Sequence, residues 1–278
     1  MTIAEKLTTI AQNVPKVYKA GEDEGYRKGH EEGHSNGYDD GYIKGHSEGW
    51  EEGNSEGWIN GRAEFYNEFW DSYLGLTSFV NMFSGRMWND TTFKPKYDFR
   101  VQGQANAMFY NNGCSNIKKT LEDCGVRLDL SQATQANQIF YYCYSLELPE
   151  IDLSSATSVQ GTFQDARRLE TIDKVTFKDD VTFRNTFSNI PTLKNLTIGG
   201  TIGGSGFDVS SCKGLTKQSI TSIIDALSKS KSGLSITLSK EAVNNAFGIN
   251  VDDATTFPEG SEYYNLRHSK DNWTINYL

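Results

Sequence analysis

The sequence predicts an α+β chain in two parts. An N-terminal helical stalk with glycine at every fourth position forms an oligomeric bundle. A C-terminal repeat β-solenoid with an α/β cap follows it. Three observations carry this. Glycine falls at Gly21, Gly25, Gly29, Gly33, Gly37, Gly41, Gly45, Gly49, Gly53, Gly57 and Gly61 without a miss. The phrase Leu128-Asp-Leu-Ser-Gln-Ala-Thr134 recurs 23 positions on as Ile151-Asp-Leu-Ser-Ser-Ala-Thr157. From Thr216 to the end, helical and strand-like hydrophobic patterns alternate instead of repeating.

Residues 1–20 place Ile3, Leu7, Ile10, Val14 and Val17 on one helical face, with Thr2 and Glu5 as a capping box and Pro15 as the breaker. This is an adaptor helix towards other proteins, or a helix packed on its own chain. The glycine stalk spans 21–61. Rings usually follow the glycines: Tyr26, His30, His34, Tyr38, Tyr42, His46, Trp50 and Trp58. Eleven glycines in a helix cost on the order of 10 kcal/mol relative to alanine, so a lone helix of this sequence unfolds. Close approach of several chains along the glycine stripe offsets that cost, with Tyr26, Tyr38, Tyr42, Trp50 and Trp58 covering neighbouring backbones. The other reading is an acidic tether without fixed structure. Strict phase and interleaved rings favour the bundle.

Charge is concentrated here as well. Residues 21–60 hold eleven acids and three bases, and eleven minus three leaves −8 of the whole chain's −9. No basic patch suggests nucleic acid, no apolar run is long enough for membrane insertion, and Met1 to Ala20 lacks a signal-peptide core. Four scattered cysteines, Cys114, Cys124, Cys143 and Cys212, read as reduced thiols.

His30-Glu31-Glu32-Gly33-His34 matches the zinc-protease spacing, but the glycine repeat generates every element of it. No metal site or cofactor is assigned to it. Only His268 lies beyond His46, which leaves little for a histidine-based triad. No catalytic residue is assigned, and the chain is read as a non-enzyme. Glu147, Glu150, Asp152, Asp165 and Glu170 are the carboxylates that could serve glycoside cleavage; solvated repeat surface is the favoured account. Tyr141, Tyr142 and Tyr144 are candidates for sugar stacking, some of them core.

Residues 62–106 read as a helix bearing Phe65, Phe69 and Tyr73, then an irregular aromatic collar with Phe79, Phe83, Trp88, Phe93 and Phe99. Residues 107–206 are the repeat region. Phe140, Cys143 and Leu146 recur as Phe163, Ala166 and Leu169, then as Phe187, Ile190 and Leu193. That period is the leucine-rich-repeat signature. Phe109 lies 31 positions before Phe140, which breaks the phase. Residues 207–278 form the cap. Thr216 caps a helix with Ile220, Ile223, Ile224 and Leu227. Leu234–Leu238 is a strand, Ser239 caps a helix with Val243 and Phe247, and Trp273–Tyr277 is a last strand.

The phenylalanine phrase over Phe140 to Ile198 resembles the BspA-like class of leucine-rich repeat, known from bacterial surface and phage proteins. The opening Met1-Thr-Ile-Ala-Glu-Lys-Leu7, Phe93-Lys-Pro-Lys-Tyr97, and the Asn272-Trp-Thr-Ile ending make the whole chain similar to proteins of phages and prophages of gut-type Gram-positive bacteria. That resemblance implies a tail-fibre or receptor-binding protein of the virion tail, assembled in the bacterial cytoplasm. It implies a homo-oligomer, with a trimer favoured, contacts to other tail proteins through residues 1–20, and a host-surface glycan or protein as receptor. A filament-forming or adhesin-like protein and a tail-associated glycan hydrolase are the alternatives. The receptor-binding residues are not legible.

Overall fold

The computed structural model describes residues 23–24 and 78–278. The adaptor helix, the glycine stalk with its rings, and the helix after Gly61 therefore lie outside the described residues, apart from Asp23 and Glu24, which are helical and exposed.

Residues 77–278 form one compact unit. Its axis is a column of phenylalanines. Phe83, Phe109, Phe140, Phe163, Phe187 and Phe207 succeed one another with ring centroids 5.4, 5.3, 5.6, 5.3 and 5.4 Å apart. All six are buried. The planes of Phe109, Phe140 and Phe163 are parallel to within 4°. Each ring belongs to one coil of the chain and covers the ring of the next, so every coil depends on its neighbours for burial.

A repeated backbone device holds the rings in line. The residues two before and two after each of the first five phenylalanines have positive φ: Asn81 and Gly85, Ala107 and Asn111, Gln138 and Tyr142, Gly161 and Asp165, Asn185 and Asn189. In the first four coils these residues and the phenylalanine between them each donate an N–H to the next coil. Gln138, Phe140 and Tyr142, for instance, reach the carbonyls of Gln160, Thr162 and Gln164 at 2.9, 2.8 and 3.1 Å. The left-handed conformation accompanies an N–H directed along the stack. Asparagine, aspartate and glycine tolerate it, and they fill seven of these ten positions.

The phase break at Phe109 is resolved by an insertion. Helix α1 (Ile117–Cys124) has eight residues, capped by the Asn116 side chain and ended by Gly125 at φ 66°. Its length is the excess of the 31-residue spacing over the 23-residue one. Phe109 keeps its place in the column. The aromatic segment before it is core too: the Phe83 ring lies 5.4, 5.4 and 5.0 Å from Trp88, Phe93 and Phe99.

The strand side of the stack departs from expectation. A leucine-rich-repeat β-solenoid with a running sheet was the predicted fold class; the described residues instead form three separate small parallel sheets and four short α-helices. The first sheet pairs β1 (Phe99–Arg100) with β2 (Leu128–Asp129). In the second, β5 (Thr171–Phe177) pairs on one side with β3 (Glu147–Leu148) and β4 (Ile151–Leu153), and on the other with β6 (Asn195–Gly199). Pro149 lies between β3 and β4, where a ladder donor is missing. The third holds β7 (Phe207–Val209), β8 (Leu234–Leu238) and β9 (Trp273–Tyr277) in that order.

The second interruption has a visible cause. Helix α2 (Lys217–Asp225) lies along β6, and its Ser219 and Ser222 hydroxyls accept the N–H groups of Leu196 and Ile198, each at 2.9 Å. A helix has taken the place of the next strand and satisfied the edge. Between α2 and β8 the chain is anchored from the far end. Lys270 Nζ is buried and donates to the carbonyls of Asp225 and Leu227 at 2.8 and 2.6 Å, and Trp273 Nε1 donates to that of Ser228 at 2.8 Å. Helix α3 (Lys240–Phe247), capped by Ser239, and helix α4 (Glu262–His268), capped by Ser261, complete the end. The expected α2, β8, α3 and β9 are all present; α1 and α4 were not foreseen.

Candidate functional site

The first interruption of the strand side opens a cleft of about 710 Å³. The recurring phrases Leu128-Asp-Leu and Ile151-Asp-Leu would pair if the sheet ran on, yet β2 pairs only with β1, and β4 only with β5. The gap between them is bordered by α1, so the eight-residue insertion and the cleft occur together. Lys118, Leu121 and Glu122 of α1 form one wall, residues 126–132 another, and Pro149, Glu150 and Asp152 a third.

The lining mixes apolar side chains (Val101, Leu121, Val126, Leu128, Leu130, Pro149) with charged ones and has no aromatic ring: five carboxylates (Asp98, Glu122, Asp129, Glu150, Asp152) face three cations (Arg100, Lys118, Arg127). Most of these groups are tied. Asp98 accepts the Arg127 N–H at 2.9 Å and its guanidinium at 3.1 Å, with Arg100 at 3.8 Å. The Arg127 backbone N–H, more than the guanidinium charges, holds the Asp98 carboxyl below its usual range. Asp129 accepts from the Ser131 hydroxyl and N–H at 2.7 and 3.0 Å, which lowers its pKa in turn. Asp152 accepts from the Ser154 N–H at 2.9 Å, Glu150 pairs with Lys174, and Lys118 pairs with Asp173 at 2.8 Å. Glu122, exposed on α1, makes no such pair among the described residues. The cleft therefore offers fixed charges of both signs, suited to hydrogen-bonding a ligand rich in hydroxyls.

Of the five carboxylates singled out from sequence, Glu150 and Asp152 line this cleft. Glu170 pairs with Lys194 at 2.8 Å, and Glu147 lies in β3. Asp165 belongs to the turn side, where it holds Arg167 at 3.0 Å and the Asn189 amide. They do not form one convergent set.

The tyrosines named as stacking candidates lie on that turn side, close to one another. Tyr141 stacks on Tyr110 at 5.1 Å with planes 5° apart, and Tyr142 meets the Tyr141 edge at 4.7 Å. Arg86 lies over Tyr144 at 3.4 Å, and Arg168 lies 5.5 Å from the same ring. Arg167 lies 5.9 Å from the Tyr142 ring. Much of the ring surface is thus already covered by other rings and guanidinium groups. The arginines went unnoticed in the sequence because they come from different coils.

The thiols are free. Burial pushes Cys143 and Cys212 up to about 12, which removes them as nucleophiles near neutrality. His268 is exposed, stacks on Tyr264 at 3.9 Å and contacts the Tyr264 carbonyl through Nδ1 at 2.8 Å. Among the described residues no cluster of three metal-ligating side chains occurs, and no helix is long and apolar enough to cross a membrane.

Comparison with family models, with curated proteins and with solved structures found no match for the chain.

Proposed function

We propose that this chain is a structural attachment protein of the phage tail-fibre kind. It oligomerises, as a trimer, through residues 21–61, joins other tail proteins through residues 1–20, and recognises a bacterial surface glycan or protein with residues 78–278. The observation that carries the reading is the cleft beside α1: a large recess of mixed apolar and charged lining, whose charges hydrogen bonds and ion pairs already hold in place. Preorganised polar groups of this kind suit recognition, since little side-chain freedom is lost on binding.

The glycan-hydrolase reading rests on Glu147, Glu150, Asp152, Asp165 and Glu170, and only Glu150 and Asp152 of these line the cleft. Glu150 is already paired with Lys174, and Asp165 is tied to Arg167 on the turn side. Cleavage needs two carboxyl groups flanking one bond, so binding without cleavage is preferred.

The test uses the full chain on a panel of Gram-positive cell walls. Retention on some walls, reduced at least tenfold by Glu122→Arg, supports recognition through the cleft; unchanged retention removes the cleft from the reading. Release of reducing sugars would replace it with the hydrolase. Sedimentation of the same sample distinguishes a discrete trimer from open-ended polymers, and polymers would favour a filament-forming protein.

A further inference from the structure

Arg86 and Arg168 come from the first and fourth coils of the stack, yet both address the ring of Tyr144, from the third. Their guanidinium carbons lie 3.4 and 5.5 Å from its centroid. They can be no further apart than those two distances together, about 9 Å. Gly113 helps bring the first coil in: a Cβ there would sit 3.0 Å from the Arg86 carbonyl oxygen. The Gly113 N–H also donates to the Trp88 carbonyl at 2.7 Å, and the Tyr144 N–H to that of Asn112 at 3.0 Å.

Neither arginine of this pair has an ion-pair partner among the described residues, unlike several of the surface cations around them. Arg167, next in sequence, is paired with Asp165. Lys118, Lys174, Lys194 and Lys217 each have a carboxylate partner. Arg86 uses Nε on the Asn111 amide oxygen at 2.8 Å and leaves its two terminal nitrogens open. Arg168 makes no hydrogen bond or ion pair among the described residues, and the Tyr144 hydroxyl has no partner there either. Both arginines are exposed. Two guanidinium groups thus lie against one ring, and among the described residues no carboxylate pairs with either. Guanidinium donors in a fixed fork match carboxylate and phosphate oxygens.

We propose that Arg86, Tyr144 and Arg168 form an anion-binding site for a surface polymer carrying carboxylate or phosphodiester groups. It rests on the attachment reading for its biological setting and on charge complementarity for its chemistry. Residues 78–278 themselves hold 20 basic and 21 acidic side chains, a nearly neutral balance that adds little repulsion of an anionic polymer. Binding is set by contact, weakens with salt, and needs no change in the cleft beside α1.

The experiment titrates the full chain with polygalacturonate, with poly(glycerol phosphate), with neutral dextran and with single-stranded DNA. Binding to one or both of the first two, at least tenfold weaker in Arg168→Gln and in Arg86→Gln, is the expected result; which polymer binds tells carboxylate from phosphodiester. Arg168 holds no structural hydrogen bond, so its variant keeps the wild-type circular dichroism spectrum and the loss reports the site. Equal binding of dextran, unchanged binding by both variants, or preference for DNA would overturn the proposal. Cell-wall retention that survives Arg168→Gln would refute this site and leave the attachment reading standing. Polymer binding without retention on any wall would do the reverse.

Discussion

The rings of Phe140 and Phe163 lie parallel, 5.6 Å apart and 1° from coplanar orientation, although 23 residues separate them. Both are buried, and each has a further phenylalanine on its other side. Removing one ring leaves a cavity facing two neighbours. Phe163→Ala is expected to destabilise the unit by about 3–5 kcal/mol, as for other buried phenylalanines. Phe163→Leu, which keeps most of the volume but loses the stacking, should cost less. Urea unfolding followed by circular dichroism measures both; equal loss in the two variants would mean that the ring contacts, and not the filled volume, carry the stabilisation.

The left-handed positions give a test of opposite sign. Gln138 has φ 56° and Gly161, at the same place one coil later, has φ 59°. A non-glycine residue there is disfavoured by about 1–2 kcal/mol, partly offset by the greater freedom of glycine in the unfolded chain. Gln138→Gly should therefore stabilise by about 0.5–1 kcal/mol, and Gly161→Gln should destabilise by a similar amount. A fall in the unfolding midpoint for Gln138→Gly would show that its side chain contributes more than its backbone strain removes.

Part of the pattern that identifies these positions was available in the sequence, and it complements the period. Period alone locates Phe140, Phe163 and Phe187. It misses Phe83 and Phe109, because the spacing within the stack changes with each insertion. An asparagine or glycine on both sides at two residues' distance marks Phe83 and Phe187 whatever the spacing. Most elements from Thr216 onward, α2, β8, α3 and β9, were also legible, since capping residues and alternation are local signals; α4 was not. The division into three sheets was not. It depends on Ser219 and Ser222 reaching the edge of β6 and on the gap between β2 and β4, both tertiary events between segments whose own patterns predict pairing. The cleft shares that origin, so its lining could be named residue by residue without being seen as a site.

Asp98 links the cleft to acid stability. Its pKa is lowered in the folded chain, first by the Arg127 backbone N–H and then by the arginine charges. A carboxyl with a depressed folded pKa stabilises above its unfolded value, near 4, and that contribution is lost as pH falls through the folded value. The unfolding midpoint of the wild type should drop below about pH 4. Asp98→Asn should lower the midpoint at pH 6 and flatten the drop. Parallel pH profiles for the two proteins would mean that Asp98 takes no part.

Lys270 is the one buried lysine among the described residues, and its Nζ closes two carbonyls at the end of α2. Burial lowers its pKa more than any neighbouring charge does. Lys270→Met preserves the apolar stem and leaves the Asp225 and Leu227 carbonyls without that donor. The expected loss is about 2 kcal/mol, within the range for unsatisfied buried acceptors. Unchanged or increased stability in thermal unfolding would show that water replaces the ammonium group at no cost.

The glycines between β6 and β7 separate two effects usually confounded. A Cβ at Gly204 would overlap the Val181 carbonyl oxygen. The two segments are held together on both sides of that contact. Gly203 donates to the Asp179 carbonyl at 2.7 Å, and Phe183 donates to the Ser205 carbonyl at 2.8 Å. Neither backbone can move without breaking one of these bonds. Gly233 is the converse: its φ is 73°, and a Cβ there would meet nothing within 4 Å. Gly233→Ala should therefore cost only the backbone preference, about 1 kcal/mol. Gly204→Ala should cost about 3 kcal/mol, the upper end of ordinary overpacking. Combining either with Phe207→Leu separates them further. Phe207 follows the glycine loop directly and ends the phenylalanine column, so a displaced loop should couple to it while strain at Gly233 should not. Additive losses in both double variants would show that the Gly204 clash is absorbed locally, without moving the last ring of the stack.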